Sequence, residues 1–172
     1  MKTLVIHPKD YTTKFLSEIY GGKDWTVISD NISHSKLKKE IKDHDRVIML
    51  GHGTEKGLIG HGRFIIDSTL VYLLRDKPES IYIWCNADAF VKKYDLKGFY
   101  TGMIISEIEE AILCCVNFKS SSEIDHSNTL FAKSVKDAVD MNPDDMCAYV
   151  KTNYASDDSA VIWFNNENIY NR

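Results

Sequence analysis

Residues 46–53, RVIMLGHG, and residues 80–85, SIYIWC, decide the fold. Each is a near-continuous apolar run of strand length, rich in β-branched and aromatic side chains and bounded by polar or glycine punctuation. Strands that are apolar on both faces suit a parallel sheet covered by helices on each side. Both runs also end on a residue with chemistry, His52 after the first and Cys85 after the second.

Outward from these two, the runs 3–6, 25–28 and 102–106 read as further strands, and AVIWF at 160–164 as a last one. Between them lie helical patterns. Phe15, Leu16 and Ile19 form one stripe and Leu37 and Ile41 another, while 70–74, 87–96 and 127–140 carry apolar residues at helical spacing. Ser106-Glu107-Ile108-Glu109 has the form of a capping box, so the fifth strand is expected to end where a helix begins. Asn142-Pro143 supplies a cap and a first-turn proline for another helix. The expected fold is α/β: a three-layer sandwich with a mainly parallel sheet of about six strands and helices on both faces. A single domain over residues 1–172 is expected.

One segment breaks the alternation. In KGLIGHGRFIID, residues 56–67, two short apolar stretches flank a second Gly-His-Gly at 60–62. That pattern predicts a small hairpin after the third strand, with the glycines supplying positive φ at its turn. His61 is therefore assigned to the turn or to the rim of a substrate site.

The first Gly-His-Gly, at 51–53, is placed differently. In open parallel α/β sheets, ligands bind just outside the carboxyl ends of the strands. If the third and fourth strands are neighbours, their ends lie about 5 Å apart. The His52 imidazole and the Cys85 thiol would then face each other, the pairing used for nucleophilic acyl transfer. A helix starting soon after Cys85 would favour its thiolate. Gly53, lacking a side chain, would let its amide approach an oxyanion together with the amide of Cys85.

This pattern resembles that of the caspase-like cysteine peptidases, which include caspases, gingipain-type and clostripain-type enzymes, legumain and the CHAT-domain proteases. VIMLGHG is similar to their strand ending in His-Gly, and IYIWCNAD to their strand ending in the nucleophilic cysteine, in the same order and separated by a hairpin and a helix. The likeness covers roughly residues 1–105 and extends more faintly to NTLFAKSVKDAV, similar to the late helix of CHAT domains. It implies a cysteine endopeptidase with His52 as general base and acid, Cys85 as nucleophile and Gly53 as oxyanion donor, acting on a peptide or protein substrate. Trp84 stands where these families usually carry a small residue, and NAD after the cysteine matches no subfamily signature. Those departures motivate an alternative: a non-catalytic peptide- or ligand-binding module on a degenerate fold of the same type.

Other residues are candidates for binding. His7 ends the first strand and is assigned to the pocket lining if that strand lies beside the third. Glu107 or Glu110, at the end of the fifth, would bias a specificity pocket towards basic side chains. Cys114 and Cys115, within an apolar helix, are assigned to the core.

Composition excludes other classes. Net charge is −4 over 172 residues, so no whole-molecule basic field favours nucleic acid or an anionic membrane. The Lys36-Leu37-Lys38-Lys39 stretch is interrupted by Glu40 and reads as a solvated helix face. No run approaches the ~20 apolar residues of a membrane span, and the amino-terminal apolar run is too short for a signal peptide. The four cysteines have neither disulfide-framework nor zinc spacing, which suits a reducing, cytoplasmic setting. Metal ligation is not expected, because no His pair has i, i+4 spacing and no CxxC occurs. No cofactor is expected either: HPKDYTTK lacks the glycine fingerprint of a dinucleotide site, and GHGTEKG lacks the end of a P-loop.

Overall fold

The structure is a computed structural model describing residues 1–172. Its central strand is β3 (Arg46–Leu50), every residue of which is buried. Strands β1 (Thr3–Ile6) and β7 (Ile81–Ile83) flank it in parallel. The strand β2 (Thr26–Ile28) pairs outside β1, and β8 (Phe99–Thr101) outside β7, again in parallel. The far edge is closed by β9 (Ile169–Asn171), antiparallel to β8, giving six strands in the order β2-β1-β3-β7-β8-β9. The chain runs outward from β1 to β2 and then returns to the other side of β1, so the topological switch point lies between β1 and β3.

Strand side chains alternate between two cores. Leu4, Ile6, Val47, Met49, Tyr82 and Trp84 project to one face, where α1 (His34–Asp43), α2 (Val71–Leu74) and α3 (Ala87–Lys93) cover them. Val5, Ile48, Leu50, Ile81 and Ile83 project to the other. A 3-10 segment, Lys14–Tyr20, covers that face with α5 (Ser121–Ala138), α6 (Pro143–Asn153) and α7 (Ala160–Glu167). The result is a three-layer arrangement, with each face of the sheet dry, as the apolar runs demand. Arg46, 2 % exposed, ties the lower end of β3 to the α5 terminus by donating to the Val139 carbonyl at 2.6 Å.

The hairpin after β3 is present and has one more strand than expected. β4 (His52–Thr54) pairs antiparallel with β5 (Gly57–Gly60), which pairs with β6 (Arg63–Ile66). At the β5–β6 turn, His61 (φ 52°) and Gly62 (φ 73°) both adopt left-handed geometry, as a two-residue type I′ turn requires. The histidine itself thus supplies one of the positive φ angles expected of the glycines.

Several boundaries differ from the sequence reading, among them the start of α5, expected at 127 and found at Ser121. The fifth strand is β8 at Phe99–Thr101, and residues 102–106 lie outside any strand. AVIWF is the start of α7, because the Ser159 hydroxyl accepts from the Ile162 amide as its cap and Val161, Ile162 and Asn165 make one buried face. The capping box falls one residue later than expected: Glu107 caps α4 (Ile108–Leu113), and Glu110 reaches back to the Glu107 amide.

Asn165 supplies at Ile105 the backbone pairing that a strand ladder would have given. Its side chain accepts from the Ile105 amide at 2.7 Å and donates to the Ile105 carbonyl at 2.9 Å, all buried. Replacing Asn165 with Leu leaves both backbone groups unpaired, each costing about 1–3 kcal/mol. Chemical denaturation should therefore show a loss of at least about 2 kcal/mol, and an unchanged midpoint would contradict this role.

Candidate functional site

The β3–β7 register pairs Leu50 with Ile83, so the two strands end side by side. Beyond Leu50, Gly51 (φ 140°) turns the chain and His52 begins β4. Beyond Ile83, Trp84 drops into the first core and Cys85 returns to the opposite side, followed by Asn86 in the left-handed region (φ 66°) at the start of α3. His52 and Cys85 line one small pocket with Thr13, Leu16, Ile104 and Phe131 among its walls, about 20 Å³ in volume. That is space for about one water molecule.

His52 is fixed by residues the sequence reading did not single out. The Asp10 carboxylate accepts from the Thr12 amide at 2.9 Å and from the Thr12 hydroxyl at 2.5 Å. These bonds, the hydroxyl first, hold the Asp10 carboxyl below its usual range, keeping it ionised. The Thr12 hydroxyl gives its one proton to Asp10, so its oxygen accepts from His52 Nε2 at 2.6 Å. The proton then sits on Nε2, and the free lone pair of the neutral ring is on Nδ1. Asp10 and Thr12 form an aspartate turn at the carboxyl end of β1, on the switch-point side of β3. The signal in the sequence was the Asp-Tyr-Thr spacing, which suits such a turn.

Cys85 has a different environment from the one expected. Its sulfur lies 3.6 Å from the Ile104 carbonyl oxygen and 3.8 Å from the Glu110 carboxylate, which share its single proton. Burial, and secondarily the Glu110 charge, push the thiol up to about 12 from the ordinary 9.0. The expected gain in thiolate from α3 is outweighed by these two effects. The Cys85 amide, by contrast, donates to no protein acceptor.

Gly53 lies within β4, opposite Leu58. A Cβ at this position would fall inside the Trp84 indole and 2.6 Å from the Gly57 carbonyl oxygen. Trp84 is 2 % exposed, and its Nε1 donates to the Thr54 carbonyl at 3.0 Å. The indole therefore occupies the core on the far side from the thiol and supports β4 from below.

The remaining candidates scatter. His7 is 5 % exposed, with its nitrogens at 3.0 Å from the Tyr20 hydroxyl and 3.3 Å from the Thr13 hydroxyl, and burial lowers its affinity for a proton. It lines neither the pocket nor the groove beside it and behaves as a partnered core histidine. His61 sits exposed at the hairpin tip, bonded to the Ser29 carbonyl at 3.1 Å, and it too is absent from the pocket. Glu107 lines a groove of about 960 Å³ between the 3-10 segment, the start of α4 and α5. This groove shares Phe15 and Ser106 with the His52–Cys85 pocket. Burial and the neighbouring Glu110 raise the Glu107 carboxyl above its ordinary value.

All four cysteines are free thiols. Cys115 is exposed at φ 55°, just past α4, and Cys114 is half-buried, so the expected core placement of this pair does not hold. The helix ends before a full apolar face can form. No His, Cys, Asp or Glu side chains gather in threes to hold a metal ion. No helix is long and apolar enough to cross a membrane. Comparison with protein-family models, curated proteins and solved structures gives no match for this chain.

The raised thiol has a consequence for stability. The folded chain keeps a proton that the unfolded chain loses between pH 9.0 and about 12. Its contribution is complete below pH 9.0 and falls as pH rises through that window. Wild type should thus lose melting temperature relative to Cys85→Ser across this range. Parallel curves for the two proteins would contradict the burial of the thiol.

Proposed function

We propose that the chain is a cysteine-dependent peptide hydrolase of the caspase-like type, with His52 and Cys85 as its dyad. One observation carries the reading: an imidazole and a thiol, at the ends of adjacent parallel strands, open onto the same pocket. The small antiparallel unit between the two strands agrees with the resemblance in the sequence.

In this reading the Cys85 thiol gives its proton to His52 Nδ1, and the sulfur attacks the scissile carbonyl carbon. The C–N bond breaks as His52 passes that proton to the leaving amine. Water then attacks the thioester, again through His52, releasing the acid and restoring the thiol. Asp10 and Thr12 hold the tautomer this needs and are positioning residues. The unpartnered Cys85 amide is one donor for the oxyanion; Gly53, in β4 and outside the pocket lining, is assigned as the other from the sequence resemblance. The groove of about 960 Å³ takes the peptide, with Glu107, next in the chain to the shared Ser106, favouring a basic side chain.

A second reading, a non-catalytic peptide-binding module, is favoured by the protonated thiol and the 20 Å³ pocket. Covalent labelling separates the two. A lysine-containing peptidyl acyloxymethyl ketone should modify Cys85, and Cys85→Ala should abolish the adduct without unfolding the chain. His52→Ala should slow labelling about 100-fold or more, the scale of a lost general base. No adduct on wild type, or one that persists in Cys85→Ala, would overturn the peptidase reading.

Glu107→Gln tests the groove. The ratio of kcat/KM for lysine over neutral peptides should fall about tenfold, the equivalent of about 1.4 kcal/mol. An unchanged ratio would remove Glu107 from substrate selection.

A further inference from the structure

Helix α4 brings a carboxylate to the one group that a thiol peptidase needs ionised. Glu110 Oε1 accepts from Cys85 Sγ at 3.8 Å. Its other oxygen accepts from the Ser106 amide at 2.7 Å, the Ser106 hydroxyl at 3.0 Å and the Glu107 amide at 3.2 Å. The carboxylate is thus locked in place by the capping box of its own helix. A fixed negative charge beside a thiol opposes loss of the thiol proton, whatever the merits of the nearby imidazole.

We propose that α4 is an autoinhibitory latch: through the contact of Glu110 with Cys85 it restrains the thiol until a peptide bound in the groove, which Ile108 and Glu109 of α4 line, shifts the helix. The inference rests on the reading of Cys85 as nucleophile. α4 contributes no lining to the pocket of about 20 Å³, whose walls on that side are Ile104 and Ser106, so it acts on the site only through Glu110. It is also loosely tied to the body. Of its six residues only Ala111 is buried, and Ile112 and Leu113 are 64 % and 79 % exposed. The loop before it is anchored by Asn165 at Ile105, which leaves α4 free to swing from a fixed point. Segments with so few buried contacts open at low cost relative to global unfolding.

The ionisable groups around the thiol are few. Glu110 and Cys114 come from α4, both raising it, and His52 lies across the pocket. The α5 and 3-10 walls present Phe131, Thr13, Phe15 and Leu16, none of them charged at neutral pH. Glu110 is therefore the one charge that relief of the latch must remove, while burial, the larger influence on the thiol, remains.

The test is the pH profile of Cys85 alkylation by iodoacetamide in the full chain, read by mass spectrometry of the peptide carrying Cys85. This small reagent needs no catalysis, so the outcome is separate from peptide labelling. Glu110→Gln keeps the capping-box geometry and removes the charge. It should speed alkylation at pH 8 about tenfold or more, matching a shift of at least about one pH unit in the thiol. Ala111→Asp, which expels the helix from its seat, should do the same, and Glu109→Gln, on the exposed face, should leave the profile unchanged. A Glu110→Gln profile that overlays wild type would overturn the latch, whether or not the chain labels with peptides. A faster thiol with no peptide adduct would uphold the latch and end the peptidase reading. Should Glu110→Gln lose its fold by circular dichroism, Ala111→Asp decides on the same criterion.

Discussion

The parallel pairing of β3 with β7 is the constraint on which the site depends. Ile48, Met49 and Leu50 match Ile81, Tyr82 and Ile83 in register, so both strands run out of ladder at one level. A one-residue slip would reverse the faces of every side chain in the moving strand. Trp84 would then enter the pocket layer and Cys85 the opposite core. The register is held by burial on both sides: Ile83 is 3 % exposed among the α5 and α6 side chains, and Tyr82 is fully buried under α3. Site geometry is thus a by-product of core packing, fixed before any functional residue makes a contact of its own.

Around that edge the charges are arranged in opposition. On the β1 side, Asp10 holds the His52 ring through Thr12 and also lies 3.5 Å from Nε2 itself, the arrangement of a carboxylate that would assist a base. On the β8 side, Glu110 touches the thiol itself, the use that suppresses a nucleophile. Two carboxylates of similar chemistry therefore have opposite effects, because an imidazole becomes a cation when it takes a proton and a thiol becomes an anion when it gives one up. Gly53 and Trp84 illustrate a related economy: the missing side chain that suits an oxyanion donor is also what lets the indole pack beneath β4.

Much of this was legible in the sequence, because it rests on long apolar runs. The strands β1, β3 and β7, the hairpin and the Asn142–Pro143 helix start follow from patterns that burial enforces, whereas strand adjacency entered only as a condition. AVIWF was misleading because five apolar, mostly β-branched or aromatic residues fit a strand and a short buried helix alike. The Ser159 cap and the tertiary position of Asn165 decide for the helix. His7 read as pocket-facing because strand order alone does not say which way a terminal side chain turns; Thr13 and Tyr20 draw it inward. Glu110 was invisible as a partner of Cys85, since the contact spans 25 residues and depends on where α4 settles. Asp10 and Thr12 likewise gain meaning only when β1 is placed beside β3.

The most direct measurement is a crystal structure of the chain after reaction with a lysyl peptidyl chloromethyl ketone. The account predicts a bond between Cys85 Sγ and the inhibitor methylene, the His52 ring beside it, and α4 displaced from the thiol with Glu110 no longer in contact. An unmodified Cys85 with α4 in its present seat, or a covalent bond at exposed Cys115 instead, would contradict it.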